Sequence, residues 1–338
     1  MCECAAIIMK YVIKIVLLAF SLLGFNCVKD DLTSIKTKVE IMVVSEENAS
    51  GQFQLFVRDI DGSNPRPLTS NQSKSSQPSI APGGDKIAYI MEGAASVDIY
   101  VINSDGTGNH KITHGGVNIT PCWSADGKYI LFAYAPTPDN TDNLRLYKMK
   151  NDGTEKSMLI NDSGNFSELV PTISPDGSEI AFTSNRSGTE KYEIWKVTMT
   201  GSGLIRLTTV GYDSDIQANI QQKVPSWSPD GTKIAIWQGV EMSELHMDGS
   251  VRDQRIVQSW KVNVMNADGS NLMTIDFGDD PTWSNDSKYV LHPDPINRDQ
   301  NLNNQISIKR SLPEGGDNIT LFKTERNFGR MDIGYMNK

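Results

Sequence analysis

The chain has 338 residues, with 32 basic against 41 acidic side chains, a formal net charge of -9 and 8% aromatic residues. An acidic chain with no polybasic run excludes nucleic acid as a partner, because phosphates demand a basic face. The length exceeds the ~250–300 residues that one hydrophobic core supports, so a repetitive architecture is expected.

At the N-terminus, Lys10 and Lys14 introduce a continuous apolar run from Ile15 to Phe25, and charge resumes at Lys29. Basic then apolar is the order of a signal peptide, and the run is shorter than the ~20 residues of a spanning helix. Residues 1–26 are therefore expected to be removed on export, with Met9 an alternative start to Met1. Cys2 and Cys4 fall in that segment, which leaves Cys27 and Cys122. A disulfide between these two is one use of them. "GFNCVKDDL" (24 to 32) points to another, since a cysteine closing an export signal resembles the lipobox of bacterial lipoproteins. The match departs at Asn26, where a small residue is usual, and Gly24 is displaced. "CVKDDL" resembles the lysine-plus-acidic signal of Bacteroidetes surface lipoproteins. The resemblance implies a lipid on Cys27, a lipidated linker over residues 27–37, and an outer-membrane location facing the surface or the periplasm, with that lipid as the sole membrane contact. Cys122 is then expected as a buried unpaired thiol.

Next come five proline-led segments: "QPSIAPGGDKIAYI" at 77, "TPCWSADGKYILFA" at 120, "VPTISPDGSEIAFT" at 170, "VPSWSPDGTKIAIW" at 224 and "DPTWSNDSKYVLHP" at 280. Each reads as a strand, a tight Asp-Gly turn and a second strand. A third strand and second turn follow, as in "DIYVINSDG" and "SWKVNVMNADG", then a short fourth strand such as "HKIT" or "LIRLT". Four antiparallel strands roughly every 40–50 residues describe a propeller blade. Residues 38–69 carry strands two to four of a further blade without its first strand, and "NFGRMDIGYM" (327 to 336) has the length to supply it. The expected fold is all-β: a six-bladed β-propeller of four-stranded antiparallel blades over 38–338, its ring closed by N- and C-terminal strands, which removes exposed edges.

"PSWSPDGTKIAIW" and "VNVMNADGSNLMTI" resemble the repeat of TolB-type propellers, related in pattern to WD-repeat blades. The resemblance covers 38–338 and weakens in the last copy, where Ser287 replaces the turn glycine. TolB proteins also carry an N-terminal α/β domain that meets envelope partners. No such domain is expected in the stretch before residue 38, so those roles are not carried over.

Turn aspartates such as Asp176 and Asp230 are expected to cap their own turns, and Trp123, Trp227 and Trp283 to pack between blades. No G-x-S-x-G nucleophile elbow occurs. "DIDGSNP" (59 to 65) begins like a calcium loop but lacks its later ligands, and His110, His114, His246 and His292 include no helical pair at metal spacing. No metal or cofactor is expected.

Binding residues are expected where the connections are long: 135–143, 209–223, 238–258 and 293–304, all on the face opposite the Asp-Gly turns. That rim holds Tyr212, Asp213, Asp215, Glu241, Glu244, His246, Arg252, Arg255, His292, Asp294, Arg298 and Asp299. An aromatic among carboxylates and arginines suits a protein, peptide or glycan. The favoured function is a non-catalytic, monomeric envelope or surface lipoprotein docking such a partner. The alternative is a propeller glycosidase or polysaccharide lyase using rim carboxylates and a histidine, with carboxyls ~5–9.5 Å apart.

Overall fold

A computed structural model describes residues 38–337 apart from 49, 71–72, 139–142, 188–191, 211, 214–217, 241–259, 295–305, 317 and 325–327. β1 (Lys38–Glu47), β2 (Phe53–Asp59) and β3 (Arg66–Pro67) share a sheet with β25 (Phe328–Asn337), in the order β25-β1-β2-β3. β4 (Ser75–Ile80), β5 (Lys86–Glu92), β6 (Val97–Asn103) and β7 (His110–Lys111) form the next meander. A parallel bridge from Val97 to Val117 joins it to β8 (Val117–Trp123), β9 (Tyr129–Ala135), β10 (Arg145–Lys150) and β11 (Ser157–Met158), making an eight-stranded sheet. β12 (Glu168–Ile173), β13 (Glu179–Ser184), β14 (Glu193–Thr198) and β15 (Ile205–Arg206) follow as a four-stranded sheet. β16 (Tyr212–Asp213) adds a fifth strand to β17 (Ala218–Trp227), β18 (Lys233–Val240), β19 (Lys261–Asn266) and β20 (Met273–Phe277). The last sheet is β21 (Thr282–Trp283), β22 (Val290–Asp294), β23 (Ile306–Ser311) and β24 (Ile319–Thr324). All strand pairs within the meanders are antiparallel, as expected. The two chain ends meet as expected too, with β25 pairing β1 from Lys38–Asn337 to Glu46–Phe328.

The second strand of each meander is apolar on both faces because a neighbour packs on each side. In β9, Ile130, Leu131, Phe132 and Ala133 are all fully buried. Ile130 and Phe132 join Ile90, Ile99 and Val101 of the preceding meander, while Leu131 and Ala133 join Ile180 and Phe182 of the following one. The core is thus a series of inter-sheet layers, and each unit depends on its neighbours. Burying one such side chain contributes about 1.5–3 kcal/mol.

The inner strands share a device that the proline motif encodes. In β4, β8, β12 and β17 the register shifts across an X-Pro pair, so two residues face one on the second strand. X adopts positive φ each time: Gln77 at 53°, Thr120 at 54°, Val170 at 52° and Val224 at 55°. For a β-branched valine this conformation is strained. Proline has no N–H to give the ladder, so the break falls where a hydrogen bond was already lost. The residue opposite is large and fully buried, Tyr89, Phe132, Phe182 or Ile236. Side chains satisfy the freed amides: Thr120 N–H donates to Gln77 Oε1 at 2.7 Å, and Val170 N–H to Thr120 Oγ1 at 3.2 Å.

At the Asp-Gly turns the expected capping is present. Asp176 Oδ1 accepts from Ser174 Oγ at 2.6 Å and from Ser178 N–H at 3.0 Å, and Gly177 sits at φ +74°. In the last turn Ser287 holds the equivalent conformation at φ 60°, and its Oγ accepts from Asp230 N–H of the preceding unit at 3.0 Å. The tryptophans pack between units as expected. Trp123 Nε1–H donates to Ser79 O at 3.1 Å, and Trp283 Nε1–H to Ser226 O at 2.9 Å.

Candidate functional site

The proline-led segments converge on one cavity of about 90 Å³, lined at 78–79, 121–122, 171–172, 224–226, 280–282 and 330–332. Its walls are the bulged strands β4, β8, β12 and β17, the Asp280–Thr282 segment that leads into β21, and β25, which pairs with β1. Into it face Asp280, Arg330, Asp332 and Cys122. Asp332 Oδ2 accepts from Ile80 N–H at 2.6 Å and Oδ1 from Ile333 N–H at 3.0 Å, so its position is fixed. Burial pushes its carboxyl up to about 6, against those two hydrogen bonds and the Arg330 charge. Asp280 is raised as well by burial, again opposed by Arg330. Burial holds the Cys122 thiol up at about 12, and the thiol is free, as expected. A protonated thiol is neither nucleophile nor metal ligand at neutral pH. Two carboxyls and one guanidinium thus share a small, buried polar space, where the Arg330 charge opposes the rise of both carboxyls.

Around this axis the two ends of the meanders differ. At the end carrying the long connections, Glu168 is fully buried at the start of β12 and binds two arginines. Arg145 Nε lies 3.5 Å from Glu168 Oε2, Arg186 pairs with Oε1, and Leu146 N–H donates to Oε2 at 2.8 Å. Asp162 receives both guanidiniums, with Arg186 Nη1 at 3.0 Å from Oδ2. Phe166 lies between them, 4.4 Å from Arg145 and 4.5 Å from Arg186. Burial raises the Glu168 carboxyl, and the Leu146 amide and the arginines oppose it. The network ties β10, β12 and β13 together at this end.

Of the residues expected on the rim, Tyr212 and Asp213 are paired in β16 with Asn219 and Ala218, so the connection 209–223 contains a short strand and the start of β17. His292 and Asp294 correct the expectation. Both lie in β22, His292 fully buried and Asp294 at 7% exposure, because the second strand continues past the proline that was read as its end. His292 Nε2 stands 3.0 Å from Ser311 Oγ and 3.3 Å from Asp276 Oδ2, and Asp294 pairs with Lys309 at 2.8 Å. These are blade-interior contacts, not rim groups. Cys27, Asp215, Glu241, Glu244, His246, Arg252, Arg255, Arg298 and Asp299 lie outside the described residues. Sequence reasoning missed Asp280, Arg330 and Asp332. The signal was available, since setting "GRMDIG" beside "QPSIAP" places Arg330 to Asp332 at the axis.

Residues 30–257 match the TolB beta propeller domain. The chain belongs to this family. A TolB homolog from Chlorobium luteolum is 27% identical over 146 residues, covering 43% of this chain and 32% of that protein, so the chain aligns with about a third of the relative's length. The solved TolB structure from Acinetobacter baumannii superposes with a TM-score of 0.63 at 22% identity, covering 88% of this chain and 66% of that one. A puromycin-hydrolyzing peptidase from Mycobacterium tuberculosis reaches a TM-score of 0.55 at 14% identity, over 83% of this chain and 44% of that one. At these identities the TolB and peptidase structures speak for the propeller fold alone.

Proposed function

We propose that this TolB-family chain is a non-catalytic docking protein of the bacterial cell envelope: a monomeric six-bladed propeller, tethered to the outer membrane by a lipid on Cys27, whose long-connection end binds a protein or peptide. The observation that carries this reading is the asymmetry between the two ends. Turn-end groups are consumed by geometry, with the Asp176 carboxylate already accepting from Ser174 and Ser178. At the opposite end Arg145, Asp162, Glu168 and Arg186 brace β10, β12 and β13, and the connections of the sequence at that end are long. Loops on a rigid scaffold are where recognition concentrates. The mix of carboxylates, amides and arginines in the long connections suits a protein or peptide, and no arrangement in the described residues favours the carbohydrate-cleaving alternative.

The test is crosslinking of the tagged protein to envelope proteins of its own cell, comparing the parent with a variant in which residues 241–259 are replaced by Asn-Gly. The shortened variant is expected to lose the crosslinked partner while staying folded. An undiminished crosslink would refute the assignment of this end. Labelling with a fatty-acid probe, expected in the parent and absent in Cys27→Ala, checks the tether separately.

A further inference from the structure

Three aromatic rings surround one ammonium on the third meander. Lys156 Nζ lies 3.1 Å from the Tyr134 ring centroid, 5.2 Å from that of Tyr147 and 5.4 Å from that of Phe132. The rings brace one another. Tyr134 and Tyr147 meet edge to face with centroids 5.0 Å apart, and Phe132 stands 6.2 Å from Tyr147. Strand geometry assembles them: Phe132 and Tyr147 are direct partners across β9 and β10, and Tyr134 lies two residues along β9 on the same face. Phe132 is buried, both tyrosines are half-buried and Lys156 is exposed, so the lysine closes an aromatic recess from outside.

A long lysine stem often covers apolar surface while its head reaches water. Here the head turns to the rings instead. Ring faces attract cations, and three of them lie within 5.4 Å of this one ammonium. The nearby carboxylate of Asp98 is already paired with Lys111 at 2.7 Å. Partial burial of its head against the rings pulls the Lys156 amine down to about 8, with the Asp98 charge opposing. A fully alkylated cation carries the same charge and is weakly hydrated, so it gives up less solvation against these walls than the strongly hydrated lysine head does.

We propose that Phe132, Tyr134 and Tyr147 form a binding cage for an organic cation of the quaternary-ammonium class, with Lys156 as a tethered occupant that the incoming cation displaces. This site is independent of the envelope-docking reading. Its probe is tetramethylammonium, titrated by calorimetry with equimolar sodium chloride as the ionic control. Three proteins are compared: the full-length parent, Lys156→Ala, and Lys156→Ala combined with Tyr134→Leu, which keeps an apolar side chain but removes the ring. Melting curves establish that each is folded. Emptying the cage is expected to tighten binding roughly tenfold over the parent, and loss of the Tyr134 face to weaken it again roughly tenfold, the size of a desolvated cation–π contact. Should Lys156→Ala show no saturable binding, or should binding survive Tyr134→Leu unchanged, the cage is not a cation site.

Discussion

At the turn end, Asp126 and Asp176 stand in copies of one arrangement, each accepting from a serine two residues before it and an amide two residues after. At the opposite end, in the third and fourth meanders, the chain buries Glu168 between Arg145 and Arg186 and lets the connections differ in length. The first end repeats because reversing the chain in a few residues admits few solutions. The second does not repeat because a long connection costs little closure entropy, and its rigidity comes from buried charge. The contrast teaches where each end is fragile: the turn end fails locally, one turn at a time, whereas the braced end fails as a network.

The largest effect is expected at the braced end. Glu168→Ala leaves two guanidiniums without their buried counter-charge and should cost about 3–5 kcal/mol in urea unfolding. A loss under ~1 kcal/mol would mean the network does not hold this end. Next, Gly177→Ala at the turn end should cost about 1–2 kcal/mol. A Cβ there would stand 3.7 Å from that of Ala125, so space is available and only the φ of +74° resists. If Gly177→Ala proves the costlier of the two, the contrast is inverted.

Acid sharpens the comparison by sign. Hydrogen bonds from Ser174 and Ser178 hold the Asp176 carboxyl at about 2, below its usual 3.8, so its stabilisation is present above pH ~4 and is lost as pH falls toward 2. Asp332 at the axis behaves oppositely. With its carboxyl raised to about 6, its contribution is fully present below pH ~4 and declines as pH rises through 6. Asp176→Asn should therefore flatten the acid limb of a stability-against-pH curve, and Asp332→Asn the limb between pH 4 and 6. Matching slopes in both variants and the parent would rule these carboxyls out as the titrating groups. The smallest effect belongs to length itself: replacing 241–259 by Asn-Gly should move the melting temperature by only about a few degrees.

The sequence by itself determined the class of fold, the strand order within each unit, the Asp-Gly caps, the inter-unit tryptophans and the pairing of the two chain ends. All of these are local or periodic. A proline-led strand with an Asp-Gly turn states its own geometry, and repetition of that statement implies neighbours of the same kind. Only the tertiary structure decided what meets at the axis and at the braced end. Asp280 and Arg330 lie far apart in the chain and come together because different inner strands line one cavity. Arg145, Glu168 and Arg186 look like ordinary surface charges in the sequence, since nothing in their spacing announces that two sheets will exclude water from them. His292 misled for the same reason. A histidine beside a proline reads as the start of a loop, yet β22 runs on to Asp294 because packing on both faces stabilises the strand more than the missing proline N–H weakens it.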